Sequence, residues 1–121
     1  DARIPDNTGY QPIDEPIAPD GPAAYFSTLP VKAIAERIQS AGLPAVVSNT
    51  AGTYVCNNLL YTLLHTAALE YPGLRGGFLH VPYAIEQLPG KPGDTFGMKL
   101  CDIARALTCA VEAIAEHLLE R

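Results

Sequence analysis

Long apolar runs are missing from this chain: no stretch of its 121 residues approaches the roughly 18 apolar residues that span a membrane. Positive charge is scarce as well. Eight Lys and Arg face thirteen Asp and Glu, for a formal net charge of −5. No basic patch or stripe interrupts that balance, which excludes nucleic acid as the expected partner. An anionic membrane surface is excluded on the same ground. Cysteine is sparse and odd in number. Cys56, Cys101 and Cys109 have no framework spacing, so the expected compartment is a reducing one, most simply the cytoplasm. Cys101 and Cys109 fall on one predicted helix about 12 Å apart, beyond the roughly 7 Å that a disulfide allows. Both are expected to be small buried apolar residues. Low complexity is absent too: 48% of the residues are hydrophobic and 17% charged. That composition suits one globular domain, not a disordered or collagen-like chain.

Proline, by contrast, is concentrated. Pro5, Pro12, Pro16, Pro19, Pro22 and Pro30 are six of the eleven. Each fixes φ and removes a backbone donor, so 5–28 is expected to be a long ordered loop or hairpin. Ile4, Ile13, Ile17, Tyr25 and Phe26 in and beside it need somewhere to bury. The chain begins at "DARIP" without a capping or strand signal ahead of it, and a preceding segment is expected.

Order is expected to begin near Pro30, a residue suited to a first helical turn. Val31, Ile34, Ala35 and Ile38 recur at helical spacing, and Gly42 with Pro44 stops the helix. "PAVVSN" (44–49) reads as a short buried strand. Residues 56–71 read as a second helix, with Leu59, Leu60, Leu63, Leu64, Ala67 and Ala68 on its buried side. "GGFLHVP" (76–82) reads as the next strand, carrying His80. A long amphipathic helix is expected from about 97 to 120, its stripe running through Leu100, Ile103, Ala104, Leu107, Val111, Ile114, Ala115 and Leu118. Helices alternating with short strands predict an α/β fold: a three-layer α/β/α, open, twisted and mostly parallel sheet.

Two chemically capable side chains stand where α/β folds build their sites, beyond the carboxyl ends of strands. "SNTAGTYVCN" (48–57) delivers Cys56 from a turn of small residues to the first turn of the second helix, and His80 lies at the next strand. A helix N-terminus offers unpaired N–H groups and partial positive charge, and both favour a thiolate over a thiol. An imidazole within reach would serve as proton donor, and backbone N–H groups near the thiol could hold an oxyanion. That set fits acyl transfer by a cysteine nucleophile. The same positions also suit a core cysteine and a hydrogen-bonded structural histidine, and spacing alone leaves both readings open. A metal site of Cys56, His65 and His80 is not expected: His65 lies about half a turn round the helix from Cys56, so the two cannot share one metal.

Four stretches in order, "DARIPDN", "GPAAYFSTLPVKAI", "SNTAGTYVCN" and "GFLHVPY", resemble the pyroglutamyl peptidase type I family. The resemblance is nearly continuous through residue 89; beyond it the likeness is mainly that of a C-terminal helix. It implies a cysteine peptidase that removes N-terminal pyroglutamate (5-oxoproline) from peptides, cytoplasmic and homotetrameric, with no metal or organic cofactor. By the same resemblance Cys56 is the nucleophile and His80 its histidine. Arg3 polarises the scissile carbonyl, and Ile4, Tyr54 and Val55 wall the lactam-ring pocket. Position 54 is commonly Phe in the family. The family's catalytic glutamate lies ahead of the "DARIP" motif, and Glu15, Glu36 and Glu70 stand in no matching motif. The chain therefore resembles the C-terminal part of a single α/β peptidase domain, with residues 1–121 on their own expected to be inactive. One alternative is a different hydrolase or phosphorylase on a similar sheet. Another is a non-catalytic folded segment that binds or assembles.

Overall fold

The computed structural model describes residues 1–119, which hold three α-helices and two short parallel strands. They divide into two compact units. The first comprises Asp1–Leu29 with Ser48–Phe78, and the second Pro30–Val47 with Leu79–Arg121. Residue 120, the expected end of the last helix, lies outside the described residues.

In the second unit, α1 (Val31–Ser40) starts where expected, its first bond running from the Ile34 N–H to the Pro30 carbonyl. Gly42 ends it with φ +77, a conformation that glycine adopts without a Cβ clash. Gly42 N–H bonds Gln39 O and Leu43 N–H bonds Ile38 O, while the Arg105 guanidinium donates to the Ala41 carbonyl at 2.6 Å. Ile34, Ala35 and Ile38 form the buried face, as their spacing predicts. They pack on α3 (Leu100–Leu119). Arg37 spans the same pair of helices, forming ion pairs with Glu112 and Glu116.

The face that α3 buries is not the expected one. Ile103, Ala110 and Ala113 are buried, whereas Leu100, Leu107, Val111 and Leu118 are exposed. The helix is apolar on more than one face, and small alanines at 110 and 113 allow α1 to approach closely. The two cysteines depart with it: Cys101 is exposed and Cys109 half-buried, because neither lies on the Ile103–Ala110–Ala113 face.

The sheet is parallel, as expected, and small among the described residues. Strand β1 (Tyr83–Ala84) pairs with β2 (Gly97–Met98), Tyr83 opposite Gly97 and Ala84 opposite Met98. The expected strand 76–82 does not form; pairing begins just after Pro82, which has no N–H for a ladder. Between β1 and β2 a 3-10 turn, Ile85–Gln87, is held by the Ala84 N–H donating to Gln87 Oε1. The expected strand 44–49 is likewise absent. No neighbouring strand pairs with it among the described residues, and Val46 is 88% exposed.

In the first unit α2 (Val55–Glu70) matches its expected span within a residue. Only Leu64 and Ala67 of its expected inner side are buried. Leu59, Leu63 and Ala68 are exposed and Leu60 half-buried. A helix apolar nearly all round does not declare which stripe faces inward. Around Leu64 the chain closes through Gly76: Thr28 N–H donates to the Gly76 carbonyl at 2.9 Å, and the Gly76 N–H to Thr28 Oγ1 at 2.8 Å. A Cβ on Gly76 would press on Leu64 and Leu63 at 3.1 and 3.3 Å. No described helix is long and apolar enough to cross a membrane.

Candidate functional site

Cys56 sits at the second position of α2, half-buried, and Tyr54 is the residue that flanks the helix start. The turn before it is built from its own small polar side chains. Ser48 Oγ donates to the Thr50 carbonyl at 2.9 Å, and the Gly52 N–H donates to Thr50 Oγ1 at 3.0 Å. Gly52 takes φ +84, a left-handed backbone that suits glycine at this bend. The first intrahelical bond runs from the Asn58 N–H to the Tyr54 carbonyl at 3.2 Å. The N–H groups of Val55, Cys56 and Asn57 therefore have no partner within the helix. The Tyr54 side chain makes no capping bond to them. A half-buried thiol thus stands among backbone donors, an arrangement suited to attack on a carbonyl whose oxygen needs hydrogen bonds.

Arg3 and Ile4 lie on a braced turn in the same unit. Backbone bonds Ala2 N–H to Pro12 O and Asp6 N–H to Tyr10 O, each 2.9 Å, fold residues 2–12 back on themselves. The Asp6 carboxylate accepts from the Thr8 hydroxyl (2.7 Å) and from the N–H groups of Thr8 (2.8 Å) and Tyr10 (3.0 Å). The Thr8 hydroxyl first, then those backbone donors, hold that carboxyl below its ordinary value of 3.8. Tyr10 donates to Glu15 at 2.8 Å, and that hydrogen bond raises its phenol above 10.0. Arg3 is exposed, and Ile4 and Val55 are more than half exposed.

Tyr54 joins the two segments: its hydroxyl donates to the Pro5 carbonyl at 3.1 Å. Five of the six expected site residues, Arg3, Ile4, Tyr54, Val55 and Cys56, thus belong to the first unit. His80 is exposed and belongs to the second, three residues ahead of β1. Among the described residues no group of three or more His, Cys, Asp and Glu gathers as a metal would need.

Sequence reasoning missed a polar cluster further along α2. Tyr25 and His65 Nδ1 share a hydrogen bond at 2.8 Å, and Tyr61 stacks on His65 with ring centroids 5.9 Å apart. Tyr61 also donates to the Pro22 carbonyl at 2.8 Å, and burial raises its phenol above 10.0. The signal available was the spacing of Tyr61 and His65, four residues apart on one helix face.

The profile of the family described as pyroglutamyl peptidase matches residues 1–117. The chain belongs to the pyroglutamyl peptidase family. A pyrrolidone-carboxylate peptidase of Streptomyces coelicolor is 68% identical over 121 residues, which are 100% of this chain and 55% of that relative. One from Streptococcus pneumoniae is 56% identical over 117 residues, 97% of this chain and 54% of the relative. Among solved structures, the pyrrolidone carboxyl peptidase of Thermococcus litoralis superposes with a TM-score of 0.91 at 44% identity. It covers 99% of this chain and 56% of that one. Pyroglutamyl peptidase I of Bacillus amyloliquefaciens gives 0.88 at 47% identity, over 95% and 54%. The chain thus spans little more than half the length of the family members it matches.

Proposed function

We propose that this chain carries the nucleophile-bearing part of a cysteine peptidase that removes N-terminal pyroglutamate from peptides through a thioester acyl-enzyme. The observation that carries the reading is the family match across residues 1–117, with Cys56 in the first turn of α2. Both units are read as parts of one α/β peptidase domain, with 5–28 as its proline-rich loop.

In this reading the Cys56 thiolate attacks the 5-oxoprolyl carbonyl carbon. The oxyanion is held by Arg3 and by N–H groups at the start of α2. Collapse of the tetrahedral intermediate breaks the C–N bond, and His80 gives a proton to the departing peptide amine. His80 then takes a proton from water, the hydroxide attacks the thioester carbon, and pyroglutamate leaves as the thiol is restored. The pairing of His80 with Cys56 rests on the family resemblance, as does an acid supplied by a glutamate outside these residues. Thiol acyl transfer of this kind calls for no metal or organic cofactor.

Specificity has a physical cause. Ile4, Tyr54 and Val55 would wall a slot for a compact, neutral lactam. An uncyclised N-terminal Glu would bring an ammonium and a carboxylate into that slot unpaired, at a cost of several kcal/mol. Proline lacks the lactam carbonyl and would leave a site donor unsatisfied. The substrates are peptides with N-terminal pyroglutamate. The intact protein is read as cytoplasmic and a homotetramer, following the odd cysteine count and the family resemblance.

The test is release of a fluorescent amine from a pyroglutamyl-amide by the intact protein. Cys56→Ser and prior alkylation are each expected to abolish it, and the prolyl-amide to remain uncleaved. Full activity in Cys56→Ser, or cleavage of the prolyl-amide at equal rate, would overturn the assignment.

A further inference from the structure

We infer that the Tyr54 hydroxyl is a positioning group for Arg3: its hydrogen bond to the Pro5 carbonyl holds Arg3 in place beside the Cys56 turn. The inference rests on the reading of Arg3 and Cys56 given above.

The geometry on both sides favours it. Tyr54 precedes Cys56 by two residues and flanks a 16-residue helix, so its ring is anchored on a rigid element. Pro5 follows Arg3 by two residues on the turn braced by Asp6. That bracing makes residues 2–12 move together, so a bond at Pro5 fixes Arg3 as well. Among the described residues, no other hydrogen bond joins the 2–12 turn to residues 48–70, and this one links positions 49 apart in sequence. Nor does Tyr54 cap its own helix, since it makes no side-chain capping bond. Its hydroxyl is committed to the turn instead.

A phenylalanine at 54 would keep the aromatic wall and lose the bond. Tyr54→Phe is therefore a conservative probe. A net hydrogen bond of ordinary strength corresponds to about a threefold to tenfold change in the occupancy of the bonded arrangement.

In the intact protein, Tyr54→Phe is expected to speed amide hydrogen exchange at Ala2, Asp6 and Tyr10. It is also expected to lower kcat/KM for a pyroglutamyl-amide by about threefold to tenfold. Rates are taken per active thiol, titrated by alkylation, so that a loss of folded protein cannot imitate the effect. In an Arg3→Ala background the same substitution is expected to cost less than about twofold, because the tie acts through Arg3. Unchanged exchange in the turn overturns the tie. Unchanged kcat/KM, or an equal loss with Arg3 removed, overturns the positioning role while leaving the peptidase reading intact. A wild-type protein that releases no amine overturns that reading, and the positioning role with it.

Discussion

At Asp6 a single carboxylate accepts three hydrogen bonds, and its titration should be visible in the turn it organises. Its folded value lies below 3.8, so its contribution is present in full above 3.8 and is lost as pH falls through the depressed folded value. The amide resonances of Thr8 and Tyr10 are expected to titrate together with a midpoint below 3.8, and to lose that acid step in Asp6→Asn. A midpoint at or above 3.8 would contradict the bracing role. The bond between Tyr25 and His65 makes a second prediction at this scale. Tyr25→Phe keeps the ring against Tyr61 and leaves His65 Nδ1 without its partner. The expected cost is about 1 kcal/mol of stability, read from denaturant unfolding of the intact protein. Residues of this kind differ in how well the sequence announces them. Cys56 is legible because a turn of small residues and an apolar helix meet at it. Arg3 acquires a role only through resemblance to a family, and His80 was singled out by its place in an expected strand, 76–82, that does not form. The Tyr54 hydroxyl was illegible, since its partner lies 49 positions away and its spacing carries no period.

Helix α1 was legible in span and in all of its expected inner face but Val31, which is exposed, because it is apolar on one face only and is closed by Gly42. Ile34, Ala35 and Ile38 could point nowhere else. Ile38→Ala is expected to cost about 2–5 kcal/mol, since it opens a cavity against α3 at a site only 6% exposed. Arg37→Ala is expected to cost less than about 1 kcal/mol. The side chains of Arg37, Glu112 and Glu116 are 37%, 54% and 60% exposed, and water screens both pairs. A larger loss at Arg37 than at Ile38 in chemical unfolding would mean that the ion pairs, not the apolar contact, hold α1 to α3. Helices α2 and α3 were legible in span and type but not in orientation. Their leucines, valines and alanines occupy more than one stripe, so the pattern admits several inward faces and only the packing partner selects one. The strands failed for a related reason. A strand is defined by its neighbour, and neither 44–49 nor 76–82 has one in register among the described residues, although both segments are rich in apolar side chains.

Across the whole molecule the consequence is apolar surface left facing outward. On α2, Val55, Leu59, Leu63 and Leu69 are each 40% exposed or more; on α3, Leu107, Val111 and Leu118 are as well. Contiguous apolar area beyond a few hundred Å² is rare on soluble monomers and marks association sites or aggregation hazards. The composition does not offset this, because a net charge of −5 is modest and two of the three acidic side chains on α3, Glu112 and Glu116, are engaged by Arg37. Expressed as these 121 residues, the chain is expected to self-associate at micromolar concentration and to bind a hydrophobic dye. Leu63→Lys with Val111→Lys should reduce both, since each places a charge at the centre of an exposed stripe without touching Leu64, Ala67, Ile103 or Ala110 of the buried faces. Sedimentation of the unsubstituted chain as a dye-silent monomer would mean that those leucines and valines are covered in solution, and that the exposed faces of α2 and α3 are not where the chain associates.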